Sequence, residues 1–184
     1  MYYRMTVAGL ERALPICPLN DKLSIAGFVI FGDQELTLAC ARDLLAKAPA
    51  YDYILTAEAK GIPLAHEMAR QAGDAKYILA HKGPKLYMRD LFSVTVQSIT
   101  TAKEQKLYLD GADAARMKGK RILIVDDVIS TGESLKALEA LVEKAGGEIC
   151  GRMAILAEGD AIDRGDIIYL EPLPLFNPDG TVLG

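Results

Sequence analysis

The stretch "KRILIVDDVISTGESLKALEALVEKAG" restricts the fold of this chain more than any other. Within it, "RILIV", residues 121 to 125, lacks the polar alternation of a half-wet strand and suits burial on both faces, the usual setting of a parallel sheet. The next residues read as a loop over 126 to 132 and a helix over 133 to 145. A buried strand feeding a helix in this way points to an α/β fold, a mostly parallel open sheet flanked by helices.

The same order recurs on either side. "LSIAGFVIF", residues 23 to 31, is rich in strand formers, and "DQELTLACARDLLAKA" after it spaces Leu36, Ala39, Cys40, Leu44 and Leu45 as a helix closed by Pro49. A short strand ending near Thr56, a turn at Gly61 and a helix from about Pro63 to Gln71 come next, with Pro63 suited to a first helical turn. A strand over Lys76 to Ala80 leads into a polar loop from His81 to Arg89. "LFSVTVQSITTAKEQKLYL" reads as two strands joined by a hairpin whose tip, near Thr100 to Glu104, is expected to be mobile. "EICGRMAILAEG" and "DIIYLEPLPLF" supply two more strands, and the closing "NPDGTVLG" is expected to fray.

A chain of 184 residues fits a single domain, 1 to 184, and the sequence holds no internal repeat or linker that would divide it. Its 21 basic and 25 acidic residues give a net charge of -4, which offers no general attraction for nucleic acid or for an anionic membrane. No segment approaches the ~18 uninterrupted apolar residues of a membrane span. Cys17, Cys40 and Cys150 are odd in number, widely spaced and without a CxxC pair, as expected of a cytoplasmic protein.

The chemistry is expected after the central strand. In open α/β sheets, ligands gather beyond the carboxyl ends of strands, where this reading puts Asp126 and Asp127. Two adjacent carboxylates repel each other and need water, cations or hydroxyl donors nearby. Ser130, Thr131, Gly132, Glu133 and Ser134 lead straight into a helix, whose free N–H groups can cradle a phosphate. The plainer alternative is a strand ending in acids before an ordinary Ser/Thr helix cap. A GxxxxGK[ST] run is absent from the sequence, so P-loop nucleotide hydrolysis is not expected.

Three segments carry a family resemblance. "VDDVISTGES" resembles the phosphoribosyl pyrophosphate (PRPP) binding motif of the type I phosphoribosyltransferases. The resemblance implies that Asp126 and Asp127 contact the ribose hydroxyls, directly or through water or magnesium. It also implies that Val128, Ile129, Ser130, Thr131, Gly132, Glu133 and Ser134 form the 5'-phosphate loop. "TAEAKGIPLA" resembles the family's pyrophosphate loop and implicates Glu58, Ala59, Lys60 and Gly61, while "AHKGPKLY" implicates His81, Lys82 and Lys85 near the diphosphate. Taken singly, these lysines also fit an ordinary solvated surface. His66, within a helix, reads as surface or packing.

The resemblance covers about residues 50 to 158 and implies a core of about 35 to 170. It further implies a small N-terminal base-covering hood of about 1 to 34 and a flexible hairpin that closes over PRPP. The implied reaction joins a purine nitrogen to C1' of PRPP and releases pyrophosphate, with Asp126, Asp127 and Lys60 as the catalytic group and Mg2+ held by the two aspartates. Phe28 and Val29 are the candidate base pocket, with core packing as the other reading of Phe28. An apolar pocket read by backbone groups favours adenine, ahead of xanthine, hypoxanthine or guanine. The stretch from Phe28 to Phe31 lacks the asparagine expected of a xanthine enzyme. A noncatalytic PRPP sensor is the alternative of another class. The family also implies a homodimer.

Overall fold

The computed structural model describes residues 1–97 and 104–183. Five strands form a wholly parallel sheet in the order β10 (Ile168–Leu173), β9 (Glu148–Glu158), β8 (Arg121–Ile129), β4 (Tyr53–Ala57), β5 (Ile78–Ala80). The expected architecture is therefore present, with the apolar strand at its centre. Leu123 and Val125 of β8 pack into one core, beneath α1 (Gln34–Leu45) and α2 (Gly61–Ala72). Ile122 and Ile124 pack into a second core, beneath α4 (Glu133–Ala145). Both faces are covered, which is why the strand carries no polar alternation.

Strand β8 differs from expectation at its end. It does not stop at residue 125: the ladder to β9 continues through Asp126, opposite Ala154, and through Val128 and Ile129, opposite Leu156 and Ala157. Only residues 130–132 separate β8 from α4, so the loop is much shorter than the expected 126 to 132. The neighbouring β9 supplies a partner for the backbone, and a charged side chain does not end a strand whose backbone groups remain paired.

The second face also carries α3 (Gly111–Met117) and an antiparallel pair, β6 (Phe92–Gln97) with β7 (Glu104–Leu109). The two expected hairpin strands are thus present; the tip residues before Glu104 lie outside the described residues. The helix α3 has no counterpart in the sequence reading. Of the run 23 to 31, only Leu23–Ala26 forms a strand, β3.

β3 joins β1 (Tyr2–Val7) and β2 (Leu10–Asn20) in an antiparallel sheet. Arg12 on β2 fastens this sheet to the start of α1 by a two-pronged bond to Asp33, at 2.6 and 2.9 Å. Asp33 is held below the usual carboxylate range chiefly by that guanidinium, and it also caps the Leu36 N–H. The closing segment, expected to fray, is tied back as far as Leu183, whose N–H donates to the Leu175 carbonyl at 2.8 Å. Phe176 bridges to Ser24 and to Val182, and its ring meets Tyr3 edge-on at 5.1 Å.

Candidate active site

The three resembling segments meet at one end of the sheet. Strand β4 delivers Glu58, Ala59 and Lys60 to the start of α2, and β8 brings Asp126 and Asp127 alongside. Lys60 Nζ stands 2.9 Å from Asp127 Oδ2, whose side chain is buried at 4 % exposure. The approach is off-axis, so Oδ2 has charge compensation but no aligned hydrogen-bond donor. Gly61 sits so close that a methyl there would overlap Thr56 Oγ1 and stand 3.1 Å from Asp126 Oδ1. A side chain at 61 would separate the two loops.

Asp126 is half-buried, and its Oδ1 accepts from the Asp127 N–H at 2.9 Å. Burial, reinforced by the neighbouring Asp127 charge, pushes its carboxyl up to about 7. Glu58 behaves in the opposite way. Burial favours its neutral form, but the Lys82 N–H, His81 and Lys85 outweigh burial and hold it down to about 2. The contacts are short: His81 Nδ1 at 2.6 Å, the Lys82 N–H at 2.9 Å and Lys85 Nζ at 3.1 Å. The acids therefore hold the cations in place, where an anionic ligand could compete for them.

The cleft beside Asp126 is lined by that residue and the run from Val128 to Leu135. The Ser/Thr-cap alternative does not hold. The N-cap of α4 is Gly132, at φ 76°, and it makes no side-chain cap bond. Helix α2 likewise begins without a side-chain cap. By contrast, Asp33 caps α1 and Asp110 caps α3. Among the α-helices of the described residues, the two that open onto the site are the ones without a side-chain N-cap, which suits an anion at their starts.

The family model for the phosphoribosyl transferase domain matches residues 32–167. The chain belongs to this family. It is 38% identical over 137 residues to the hypoxanthine/guanine phosphoribosyltransferase of Methanococcus voltae, a match covering 73% of this chain and 67% of that one. The enzyme of the same description from Methanothermococcus okinawensis is 36% identical over 159 residues, or 82% of each chain. Among solved structures, adenine phosphoribosyltransferase from Thermoanaerobacter pseudethanolicus superposes with a TM-score of 0.69. That match covers 86% of this chain and 95% of that one, at 21% identity, and so bears on the fold.

Some expected residues fall elsewhere. Phe28 is 4 % exposed and packs within the core shared by β2, β3 and α1, so its ring is not presented to a base. Val29 and Phe31 are the exposed members of that stretch, at 58 % and 50 %. Ile129 lines the cleft but is buried in the second core. His66 meets Tyr77 edge-on at 6.0 Å, away from the acid pair's contacts. Phe28→Ala should cost about 3–5 kcal/mol of stability by leaving a core cavity, with little change in KM for the base. A stable variant with a raised base KM, read by melting and steady-state kinetics, would place Phe28 in the pocket after all.

Three site residues escaped the sequence reading. Tyr87 Oη lies 3.2 Å from His81 Nε2, extending the Glu58 network. Glu158, at the end of β9, has its carboxyl raised by burial and feels the charge of Lys60. Its signal was available, since "MAILAE" repeats the apolar run and terminal acid of "RILIVD". Arg164 comes from the far end of β9 to the start of α4, where a Cβ on Gly132 would stand 2.8 Å from its Nη1, beside the residues that line the cleft.

Proposed function

We propose that the protein transfers the phosphoribosyl group of PRPP to a purine base, giving a nucleoside 5'-monophosphate and pyrophosphate. The observation that carries this reading is the meeting of two uncapped helix starts with the Asp126–Asp127 pair and the Lys60, His81, Lys85 cluster. A bond forms between a ring nitrogen and C1', the bond from C1' to the diphosphate oxygen breaks, and the nitrogen's proton leaves to solvent. Asp126 and Asp127 position the ribose; Lys60, His81, Lys82 and Lys85 steady the departing diphosphate. Fixing both ends of PRPP and meeting the leaving group's charge accounts for catalysis without a protein nucleophile.

The donor set suits magnesium that arrives with the substrate. The described residues contain no group of three or more His, Cys, Asp or Glu side chains able to hold a metal ion. The aspartate pair, with Asp127 Oδ2 buried and lacking an aligned donor, can supply two oxygens, and diphosphate and water would complete the shell. When bound, the cation would neutralise part of the diphosphate charge.

For the base, we propose a 6-oxopurine. The sequence relatives at 36–38% identity are described as hypoxanthine/guanine enzymes, and this supports that choice. Adenine rested on an apolar pocket containing Phe28, and with that ring in the core this support is gone. The test is incubation with PRPP, magnesium and each of hypoxanthine, guanine, xanthine and adenine, following nucleotide and pyrophosphate. Adenylate as the chief product would overturn the base assignment. Tight PRPP binding with no product from any base would overturn transfer and indicate a sensor.

A further inference from the structure

Arg164 follows the short 3-10 turn Gly159–Asp163 at the end of β9, outside all three segments that the family resemblance covers by motif. Its guanidinium is oriented by Asp166, which accepts from Nε at 2.9 Å and from Nη2 at 2.8 Å. Asp166 also lies 3.7 Å from Arg152 Nε, and Arg152 is bonded to Glu139 on α4. This chain of charges ties the turn to the helix that opens at the phosphate cleft. The fork engages one edge of the guanidinium and leaves Nη1 on the other. Nη1 is the atom that faces Gly132, the uncapped and left-handed start of α4.

We infer that Arg164 is a specificity residue for the 5'-phosphate, donating from Nη1 to a phosphate oxygen seated in the loop of residues 130–134. This rests on the phosphoribosyl reading of the site. The loop contributes backbone N–H groups and the Ser130, Thr131 and Ser134 hydroxyls, but it also carries the acid Glu133, and Asp126 and Asp127 at its edge repel a dianion. Arg164 supplies formal positive charge at that end, as Lys60 and Lys85 do at the diphosphate end. Gly132 is needed twice: its positive φ turns the chain, and its missing side chain leaves room for the guanidinium. A charge-assisted bond of this kind distinguishes a phosphorylated sugar from its unphosphorylated form.

The test compares the wild type with Arg164→Gln and Asp166→Asn, using ribose 5-phosphate and pyrophosphate as separate probes in calorimetry, alongside steady-state transfer. Arg164→Gln should weaken ribose 5-phosphate binding and raise KM for PRPP by about tenfold or more, the scale of one hydrogen bond to a charged group. Pyrophosphate affinity should stay within about twofold, because that ligand binds at the other end. Asp166→Asn frees the guanidinium without removing it and should give a smaller loss of the same sign, while Arg164→Lys should recover part of the affinity. Unchanged or tighter ribose 5-phosphate binding in a folded Arg164→Gln protein that still turns over would overturn this assignment and leave the transferase reading intact. A wild type that binds neither PRPP nor ribose 5-phosphate would overturn both.

Discussion

Asp126→Asn is expected to lose activity and gain stability. On the proposed reading transfer should fall by about 100-fold or more, since one of the two carboxylate oxygens offered to the ribose becomes an amide donor, the charge is lost, and small misplacements of a reacting carbon are costly. Stability moves the other way for a reason visible in the site. Folding lifts the Asp126 carboxyl from 3.8 to about 7, through burial first and the Asp127 charge second. The folded state therefore holds this proton more tightly than the unfolded state. Its contribution is complete below pH ~4 and is lost as pH rises through ~7. An asparagine never acquires the charge, so the variant should melt higher than wild type at pH 8, by about 2–4 °C for each kcal/mol recovered, and equally at pH 4. Melting curves across that range check the sign. A variant that melts lower at pH 8, or that transfers at the wild-type rate, would show that Asp126 is structural.

Gly132→Val attacks the other end of the same substrate. Residue 132 has φ 76°, a region that a β-branched side chain enters at a cost of about 1–3 kcal/mol. Its Cβ would also crowd Arg164 Nη1 at 2.8 Å. We expect KM for PRPP to rise by roughly 100-fold or more, since strain, lost cradle shape and a displaced cation act together. Pyrophosphate affinity should change little. Normal PRPP kinetics in a folded Gly132→Val protein would mean that phosphate does not sit against this turn.

Much of this site could be read from the chain because its parts are local. Each loop follows a strand whose apolar run is unmistakable, and residues 58–61 and 126–134 act within a few positions of one another. Arg164 could not be found this way. Its role depends on β9 lying beside β8, and sequence does not disclose strand order. The N-terminal sheet was hidden for a different reason. Tyr3, Met5 and Val7 do alternate inward, but Pro15 and Pro18 on β2 argue against a strand. β2 accommodates them because residues 10–15 pair only with β1 and residues 16–20 only with β3, leaving each half one open side, and the register shifts between Pro18 and Asn20. The turn at Ala8 and Gly9, both with positive φ, joins the hairpin in two residues without the usual asparagine or aspartate signal. Helix α3 spans seven residues, too few for periodicity to speak. Phe28 shows the limit of residue type as a guide: two phenylalanines lie three positions apart, and only backbone direction decides which one meets water.

The continuation of β8 through Ile129 has a thermodynamic consequence. A seven-residue loop would have to be frozen when phosphate arrives, at about 1–2 kcal/mol of backbone entropy for each residue ordered. Here the ladder to β9 has already immobilised residues 126–129 during folding, and three residues remain before α4 takes over. The end of the cleft proposed for ribose 5-phosphate is therefore a template set in advance, and recognition there should show a small entropic penalty and little dependence on loop-rigidifying conditions.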